Sequence, residues 1–290
     1  MTLIDEDAPP TVVEPLAPGV YDMPFEHYLA RPELSSTGMR ALLPPSCPAQ
    51  FHWDRLNPVP PKKEWDFGQV AHKLVLGVGH EIEVLDFDDF RTTKARDAKK
   101  DAYEQGKIPI LEKDHRYALA MAAEVRKHPV ARLLLRDGKP EQSLFWRDRS
   151  TGTEMKARVD WLGEQREGRR LKVVDYKSAA RVDAESIRRA IAEHGYHQQG
   201  ATYREAGIAL GRGDEDTVVC LIFQSKTPPF FVHVVQLTPV DLQLGAARNR
   251  RAIQIYRECL ESGEWPAYPE VSHIEMPAWA QINDQLEYLA

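Results

Sequence analysis

The chain has 290 residues, 42% of them hydrophobic and 9% aromatic, which is enough to bury a sizeable core in one large or two small domains. Its 38 Lys and Arg residues against 44 Asp and Glu residues give a formal net charge of −6, so the overall charge does not mark a nucleic-acid-binding protein. It does not exclude a nuclease either, because a nuclease needs only a local basic track beside an acidic metal site.

The start of the chain and its cysteines restrict the setting. Residues 1–18 hold four prolines and few large apolar side chains, and they predict a flexible tail before a single domain over residues 19–290. This stretch is acidic, unlike a signal peptide. Cys47, Cys220 and Cys259 form no CxxC pair, so we expect no zinc or iron–sulfur site and a reduced, cytoplasmic setting. No apolar run approaches the roughly 18 residues of a membrane span, and no membrane partner is expected.

The first half of the chain predicts helices. Hydroxyl side chains at residues 35–37 can cap a helix over residues 38–43, and two prolines stop it. There follow a short helix over residues 48–56, a loop over 57–63, a buried helix over 67–76 and a long helix over about 113–127. The apolar faces of the last two helices consist of Phe67, Val70, Ala71, Leu74 and Val75, and of Tyr117, Ala120, Met121 and Val125.

The second half of the chain predicts consecutive strands and then helices. Apolar runs at residues 142–147, 154–162 and 171–176 predict three strands. Next along the chain come two helices over 184–193 and 198–210, two strands over 217–224 and 230–236, and a last helix over 239–262. This order favours an α/β fold with a mixed central sheet flanked by helices over alternating βαβ units.

Two aspartates at the ends of neighbouring strands carry the chemistry. Asp160 and Asp175 lie on apolar strands joined by a turn, so antiparallel pairing can bring their carboxylates together. Asp175 and Lys177 are two residues apart and therefore point to the same face of their strand. Carboxylates suit Mg²⁺ or Mn²⁺, an ion that can activate water and neutralise charge on a phosphate, and the lysine can stabilise the transition state. The alternative for such an Asp-x-Lys triplet is an ordinary solvated ion pair.

Two flanking features strengthen this hypothesis. His72 lies on a predicted helix four residues after a glycine, and a neutral imidazole is a sensible further metal ligand. Gln199 and Tyr203 share one face of a later helix. Each also has an ordinary interpretation, as a core histidine and as a half-exposed helix face.

The order of these patterns resembles the nuclease module of RecB-type PD-(D/E)xK enzymes and, more narrowly, the exodeoxyribonuclease VIII (RecE-type) family of phage and prophage recombination nucleases. The likeness extends over residues 20–280, and it depends on order and spacing because each short pattern is degenerate. The residues that carry it are Tyr28, 35–38, 67–72, 128–129, 141–146, 151–152, 156–160, 174–178, 196–199, 263–268 and 277–279.

The resemblance implies a PD-(D/E)xK, restriction-endonuclease-like core and a Mg²⁺-dependent exonuclease, with Mn²⁺ as a substitute ion. It implies that the enzyme acts at double-stranded DNA ends and degrades one strand 5′→3′. The 3′-tailed product would pass to a single-strand annealing recombinase of the RecT-like kind. Processive relatives enclose DNA, which suggests a homo-oligomeric ring. The alternatives are a structure-specific endonuclease of the same fold and a non-catalytic DNA-binding scaffold.

The resemblance also implies roles for single residues. The implied metal ligands are His72, Asp160, Asp175 and the backbone carbonyl of Tyr176. The implied catalytic set is Asp160, Asp175, Lys177, Glu141, Gln199 and Tyr203, in which the role of Glu141 is open and the last two support the core or touch DNA. Many superfamily members carry Glu where this chain has Asp175.

Three further features have weaker claims. Residues 91–107 hold six basic and three acidic side chains and either follow a phosphate backbone or form a solvated helix or loop. Trp53 and Trp65 with the lysines at 62–63 either contact a DNA end or lie in the core. The aromatic side chains of Trp265, Tyr268 and Trp279 are expected to pack the C-terminal segment onto the domain, and His194 and His197 to have a structural or DNA-contact role.

Overall fold

The computed structural model describes residues 14–58, 66–271 and 274–289. Most of the predicted tail and of the loop at 57–63, together with Trp65 and its two neighbouring lysines, therefore lies outside the described residues. At the end of the predicted tail, the backbone N–H of Leu16 donates to the Glu33 carboxylate at 3.2 Å.

Eight strands and eleven helices are found in the described residues. The strands are β1 (Gly19–Tyr21), β2 (Ile82–Leu85), β3 (Ile108–Leu111), β4 (Gly138–Arg147), β5 (Glu154–Gly163), β6 (Lys172–Ala179), β7 (Val218–Ser225) and β8 (Val232–Gln236). The helices are α1 (Phe25–Leu29), α2 (Ser36–Ala41), α3 (Pro48–Leu56), α4 (Asp66–Leu76), α5 (Thr93–Glu104), α6 (Glu112–Lys127), α7 (Pro129–Leu134), α8 (Ala184–Glu193), α9 (Tyr196–Ala209), α10 (Pro239–Ser262) and α11 (Ala278–Tyr288).

A six-stranded mixed sheet in the order β1-β4-β5-β6-β7-β8 forms the centre of the fold. Its strands pair antiparallel except β6 and β7, which are parallel. Helices α8 and α9 form the connection between these two strands, since a parallel pair needs a crossover. The predicted α/β fold with a mixed sheet is thus confirmed, and β2 and β3 add a separate parallel pair.

The two faces of the sheet bury different helices. Val173 of β6 belongs to a core cluster with Tyr203 of α9 and residues of α10. The next residue, Val174, belongs to a second cluster with Ala71 of α4 and residues of α6. Because successive side chains of a strand point to opposite faces, α4 and α9 lie on opposite sides of β6.

Several helix predictions match closely and some positions differ. The Ser35 side chain accepts from the N–H of Gly38 and begins α2, as the capping pattern predicts. Gly263 ends α10 in the left-handed conformation with φ +74°. Ala120 does not lie on the buried face of α6, where Ala118 and Ala122 are buried instead, so that assignment is wrong.

The C-terminal aromatic residues divide into two groups. Trp265 packs against the core and stacks on His52 at a centroid distance of 4.4 Å, as expected. Tyr268 is 68% exposed, although its hydroxyl donates to the Pro45 carbonyl. Trp279 is 70% exposed, and α11 has no buried residue, so the expected packing of Trp279 is wrong. Trp53 is also exposed, which excludes the core alternative for it.

The part of the chain that the structure describes contains no helix that combines the length and the apolar character of a bilayer span.

Helices α9 and α10 meet at a glycine that sets how closely they approach. A Cβ atom at Gly245 of α10 would lie 2.2 Å from the carbonyl oxygen of His197, at the start of α9. Such a contact is far inside van der Waals distance, and both partners are helix backbone that cannot rotate away. Gly245 therefore fixes the position of α9 over the sheet.

We predict that Gly245→Ala lowers the free energy of unfolding by about 1–3 kcal/mol, because the added methyl must push two helices apart. The matched control is Gly68→Ala in α4, where an added Cβ meets nothing within 4 Å. There the same substitution should be neutral or stabilising by about 0.5–1 kcal/mol through helix propensity. Chemical denaturation of both variants measures this, and equal effects of the two would contradict the packing argument.

Candidate active site

The site lies where strands β5 and β6 separate. The two strands pair only at Trp161 with Val174 and at Leu162 with Val173. One residue further, the carboxylate of Asp160 replaces a backbone acceptor of the ladder. Its Oδ2 accepts a hydrogen bond from the backbone N–H of Tyr176 at 2.7 Å. The side chain of a strand residue thus satisfies the N–H that the neighbouring carbonyl would otherwise bond.

Three carboxylates lie on one row across this opening. In the β4–β5 register, Pro140 pairs with Trp161 and Gln142 with Val159, which places Glu141 opposite Asp160. Continuing the β5–β6 register by one residue places Asp160 opposite Asp175. Side chains directly opposite each other on neighbouring strands are close, so the register itself gathers three acidic groups.

The alternation of β5 side chains between the two faces of the sheet shifts by one residue at this row. Met155, Ala157 and Val159 belong to the cluster on the α9 face, whereas Trp161 packs on the α4 face and Leu162 returns to the α9 face. Groups from both faces can therefore meet at Asp160.

His72 reaches this row from α4. Its Nε2 lies 3.3 Å from Asp160 Oδ2, and its Nδ1 lies 3.3 Å from Glu141 Oε1. The ring sits at an angle to Tyr176, with a centroid distance of 6.2 Å. The neighbouring Ala71 packs in the core cluster that contains Tyr176, and this packing positions the imidazole. His72 therefore bridges two of the three carboxylates.

Glu141 is held in an unusual backbone conformation and by an arginine. Its φ is +54°, in the left-handed region that non-glycine residues rarely adopt and that is often found at functional sites. Its second oxygen, Oε2, accepts from Arg158 Nε at 2.5 Å. Arg158 Nη1 donates at 2.9 Å to Ser143 Oγ and to the Met23 carbonyl. These contacts fix the guanidinium and direct the other oxygen of Glu141 at His72.

Asp175, at 1% exposure, is the most buried of the three acids. Its Oδ2 lies 2.5 Å from Lys177 Nζ, so the predicted common face of the two side chains is present. Its Oδ1 lies 2.9 Å from the hydroxyl of Tyr203. That hydroxyl also lies 3.1 Å from the Arg158 carbonyl, which faces the opening, and it accepts from Gln199 Nε2 at 2.7 Å. Tyr203 and Gln199 thus support Asp175 from α9.

The crowding of charges shifts the ionisation of the group. Burial alone would lower the pKa of His72, but Asp160, Glu141 and Asp175 outweigh it and raise the pKa to about 9. Burial and the charge of Asp160 raise the pKa of Asp175 above its ordinary value, against the opposing effect of Lys177. Despite burial, which would lower it, the pKa of Lys177 is raised by the two aspartates, so this ammonium is charged at neutral pH.

The donor set fits a divalent cation. One ligand atom each from His72, Glu141 and Asp160 can be chosen so that all three lie within 4.8 Å of one another. Two carboxylates with one imidazole supply the oxygen-rich ligands that hard cations prefer. Asp175 is not part of this group, and Tyr203 and Lys177 contact its two oxygens. Its role as a ligand stays a prediction, as does that of the Tyr176 carbonyl.

The structure brings the predicted residues together and adds one. His72, Asp160, Asp175 and Lys177 meet at the row, and Glu141, whose role was open, lies beside the imidazole. The sequence analysis gave no role to Arg158, which holds Glu141. The signal for it was a basic residue two positions before the acid on the same strand.

We predict that Asp160→Asn and Glu141→Gln each weaken Mn²⁺ binding by about 10-fold or more, because each removes a charged oxygen ligand. Isothermal titration calorimetry on the intact chain measures this. Asp54→Asn on the exposed face of α3 keeps the change of charge but should leave the affinity unaltered. Retention of wild-type affinity in both site variants would rule out the cation site.

Comparisons with known proteins bear on the fold and on the family. No curated protein matches the sequence. Among solved structures, a candidate exonuclease from Eubacterium rectale aligns over 89% of this chain and 96% of its own, with a TM-score of 0.59 and 14% identity. A looser match is a phage related exonuclease from Haemophilus somnus, with a TM-score of 0.33 and 8% identity, which aligns over 82% of this chain and all of its own. The first likeness shows a shared fold.

The sequence itself matches a family described as the PDDEXK-like domain of unknown function, DUF3799, over residues 40–276. That range includes His72, Glu141, Asp160, Asp175 and Lys177. The chain belongs to this PDDEXK-like family.

Proposed function

We propose that this chain is a divalent-metal-dependent nuclease and, more narrowly, a Mg²⁺-dependent exodeoxyribonuclease that degrades one strand of linear double-stranded DNA. The observation that carries the proposal is the row of Glu141, Asp160 and Asp175 across three strands, with His72 and Lys177 in contact with it. Titratable groups whose pKa values are shifted by burial and by specific charge partners cluster at functional sites, which supports a catalytic role for this group.

Each residue has a distinct task in this proposal. His72, Glu141 and Asp160 would hold the cation, which when bound lowers the pKa of water and neutralises charge on the phosphate. The Lys177 ammonium, kept charged and oriented by Asp175, would stabilise the negative charge that builds on the phosphate oxygens. Tyr203 fixes Asp175, and Arg158 fixes Glu141, so neither carboxylate needs to reorganise during the reaction.

The exonuclease part of the proposal rests on the order of motifs shared with exodeoxyribonucleases and on the name of the Eubacterium rectale protein, which is that of an exonuclease. The same resemblance supports 5′→3′ polarity, a recombination role with a RecT-like annealing partner and a ring of identical subunits. The three free cysteines support a cytoplasmic location.

We predict that Lys177→Ala and Asp175→Ala each lower the rate of hydrolysis of linear duplex DNA with Mg²⁺ by about 1,000-fold or more, since each removes part of the transition-state stabilisation. DNA binding should be largely kept. The matched control is Lys226→Ala at an exposed turn, which should keep wild-type activity, and EDTA should abolish all cleavage. Wild-type-like rates in either site variant would refute the assignment.

The exonuclease and endonuclease alternatives differ in the substrate they need. End-labelled linear duplex and nicked or closed circular duplex of the same sequence, each with Mg²⁺, separate them. We expect release of nucleotides from linear duplex only. Cleavage of closed circles would support the endonuclease alternative, and DNA binding without any Mg²⁺-dependent cleavage would support the scaffold.

A further inference from the structure

An arginine next to the site lacks an acidic partner. Arg40 lies on α2, and its Nε is buried with no hydrogen-bond partner among the described residues. Its Nη2 has one weak contact, at 3.4 Å from Thr37 Oγ1. Within the same part of the chain, no carboxylate lies within ion-pair distance of this guanidinium. A buried cationic donor without a partner is unfavourable, and most such groups are paired in folded proteins.

A second orphaned polar group lies on the same face of α2. Ser36 precedes Arg40 by four residues, so the two side chains are neighbours along the helix. The hydroxyl oxygen of Ser36 is also buried and has no hydrogen-bond partner among the residues that the structure describes. The Arg40 side chain as a whole is only partly buried, so its guanidinium can be reached by a ligand that accepts hydrogen bonds.

This place borders the site through Tyr196. A Cβ at Gly195 would lie 2.5 Å from Arg40 Cδ, which puts the arginine against the start of α9. Tyr196, the next residue, has the Lys177 ammonium 4.6 Å from its ring centroid. The positive charges of Lys177 and Arg40 both act on the Tyr196 hydroxyl. The two cations therefore flank one tyrosine side chain.

We propose that Arg40 and Ser36 form a subsite for a backbone phosphate of the DNA strand, next to the phosphate that is hydrolysed. The inference rests on the proposed nuclease function and names a substrate contact that positions the strand. Guanidinium groups match the geometry of phosphate oxygens, and the serine hydroxyl supplies an additional donor. Because Lys177 contacts the ring of Tyr196 and Arg40 packs against the preceding Gly195, we assign Arg40 to a phosphate that neighbours the scissile one.

A structural role for Arg40 makes a different prediction. Arg40 stands in the last turn of α2, where a cation is favoured by the exposed carbonyl ends of the helix. In that role its replacement would lower stability and leave the interaction with particular phosphates unchanged. The test must therefore measure whether the effect of replacing Arg40 depends on the charge of one particular phosphate.

The experiment uses linear duplexes in which one linkage near the cleaved end is replaced by an uncharged methylphosphonate, moved one position at a time. We expect wild-type kcat/KM to fall about 10-fold or more when the contacted linkage, distinct from the scissile one, is neutral. The kcat/KM of Arg40→Ala should be lower by a similar factor on ordinary duplex. It should not fall further when that linkage is made neutral. Arg40→Lys should recover part of the loss, and Ser36→Ala should show a smaller loss of the same pattern.

The control is Arg188→Ala on the exposed face of α8, which should respond to every linkage as the wild type does. The same duplexes are also bound in Ca²⁺ without hydrolysis. Cleavage in which Arg40→Ala and each neutral linkage act independently would overturn the subsite while leaving the nuclease function. Phosphate-specific binding through Arg40 without cleavage in Mg²⁺ would keep the subsite and overturn the function. A fall in thermal stability alone, with no coupling to any linkage, would also overturn the subsite.

Discussion

The separation of β5 from β6 is the feature on which the site depends. A continuous ladder would bond the N–H of Tyr176 to the backbone of β5, and Asp160 would have no place between the strands. Instead the carboxylate of Asp160 accepts that N–H, and the hydroxyl of Tyr203 lies 3.1 Å from the Arg158 carbonyl. Side chains thus satisfy the backbone groups at the opening, where three carboxylates converge.

Charge balance explains why this arrangement is stable enough to exist. Three acids on one row repel one another, and each is paired with a group of opposite charge or with a donor. Arg158 pairs with Glu141, Lys177 with Asp175, and His72 lies between Glu141 and Asp160. Only a neutral imidazole is a metal ligand, so binding of a divalent cation would release the proton that His72 carries without it.

Much of this could be predicted from the sequence, because the relevant spacings are local. The period of two on a strand places Asp175 and Lys177 on one face, and the helical pattern at residues 67–76 places His72 on a buried helix. The mixed sheet follows from the order of the elements. The short strands β1, β2 and β3, of three or four residues each, are too short to carry a clear alternation and were not predicted.

The rest depends on relations between distant segments. The row of Glu141, Asp160 and Asp175 follows from the registers of two strand pairs, and the sequence does not contain register directly. The left-handed φ of Glu141 is not signalled by a glycine or asparagine at that position. The exposure of Trp279 could not be foreseen, because aromatic residues are usually buried and whether α11 packs on the domain is a tertiary property.

The central claim is that the row of carboxylates and His72 bind a divalent cation. A crystal structure of the protein soaked in Mn²⁺, with anomalous diffraction recorded at a wavelength sensitive to manganese, tests it most directly. The account predicts an anomalous peak coordinated by His72, Glu141 and Asp160, within reach of Lys177. A fully soaked crystal with no peak at this row, or with Mn²⁺ bound only elsewhere, would contradict it.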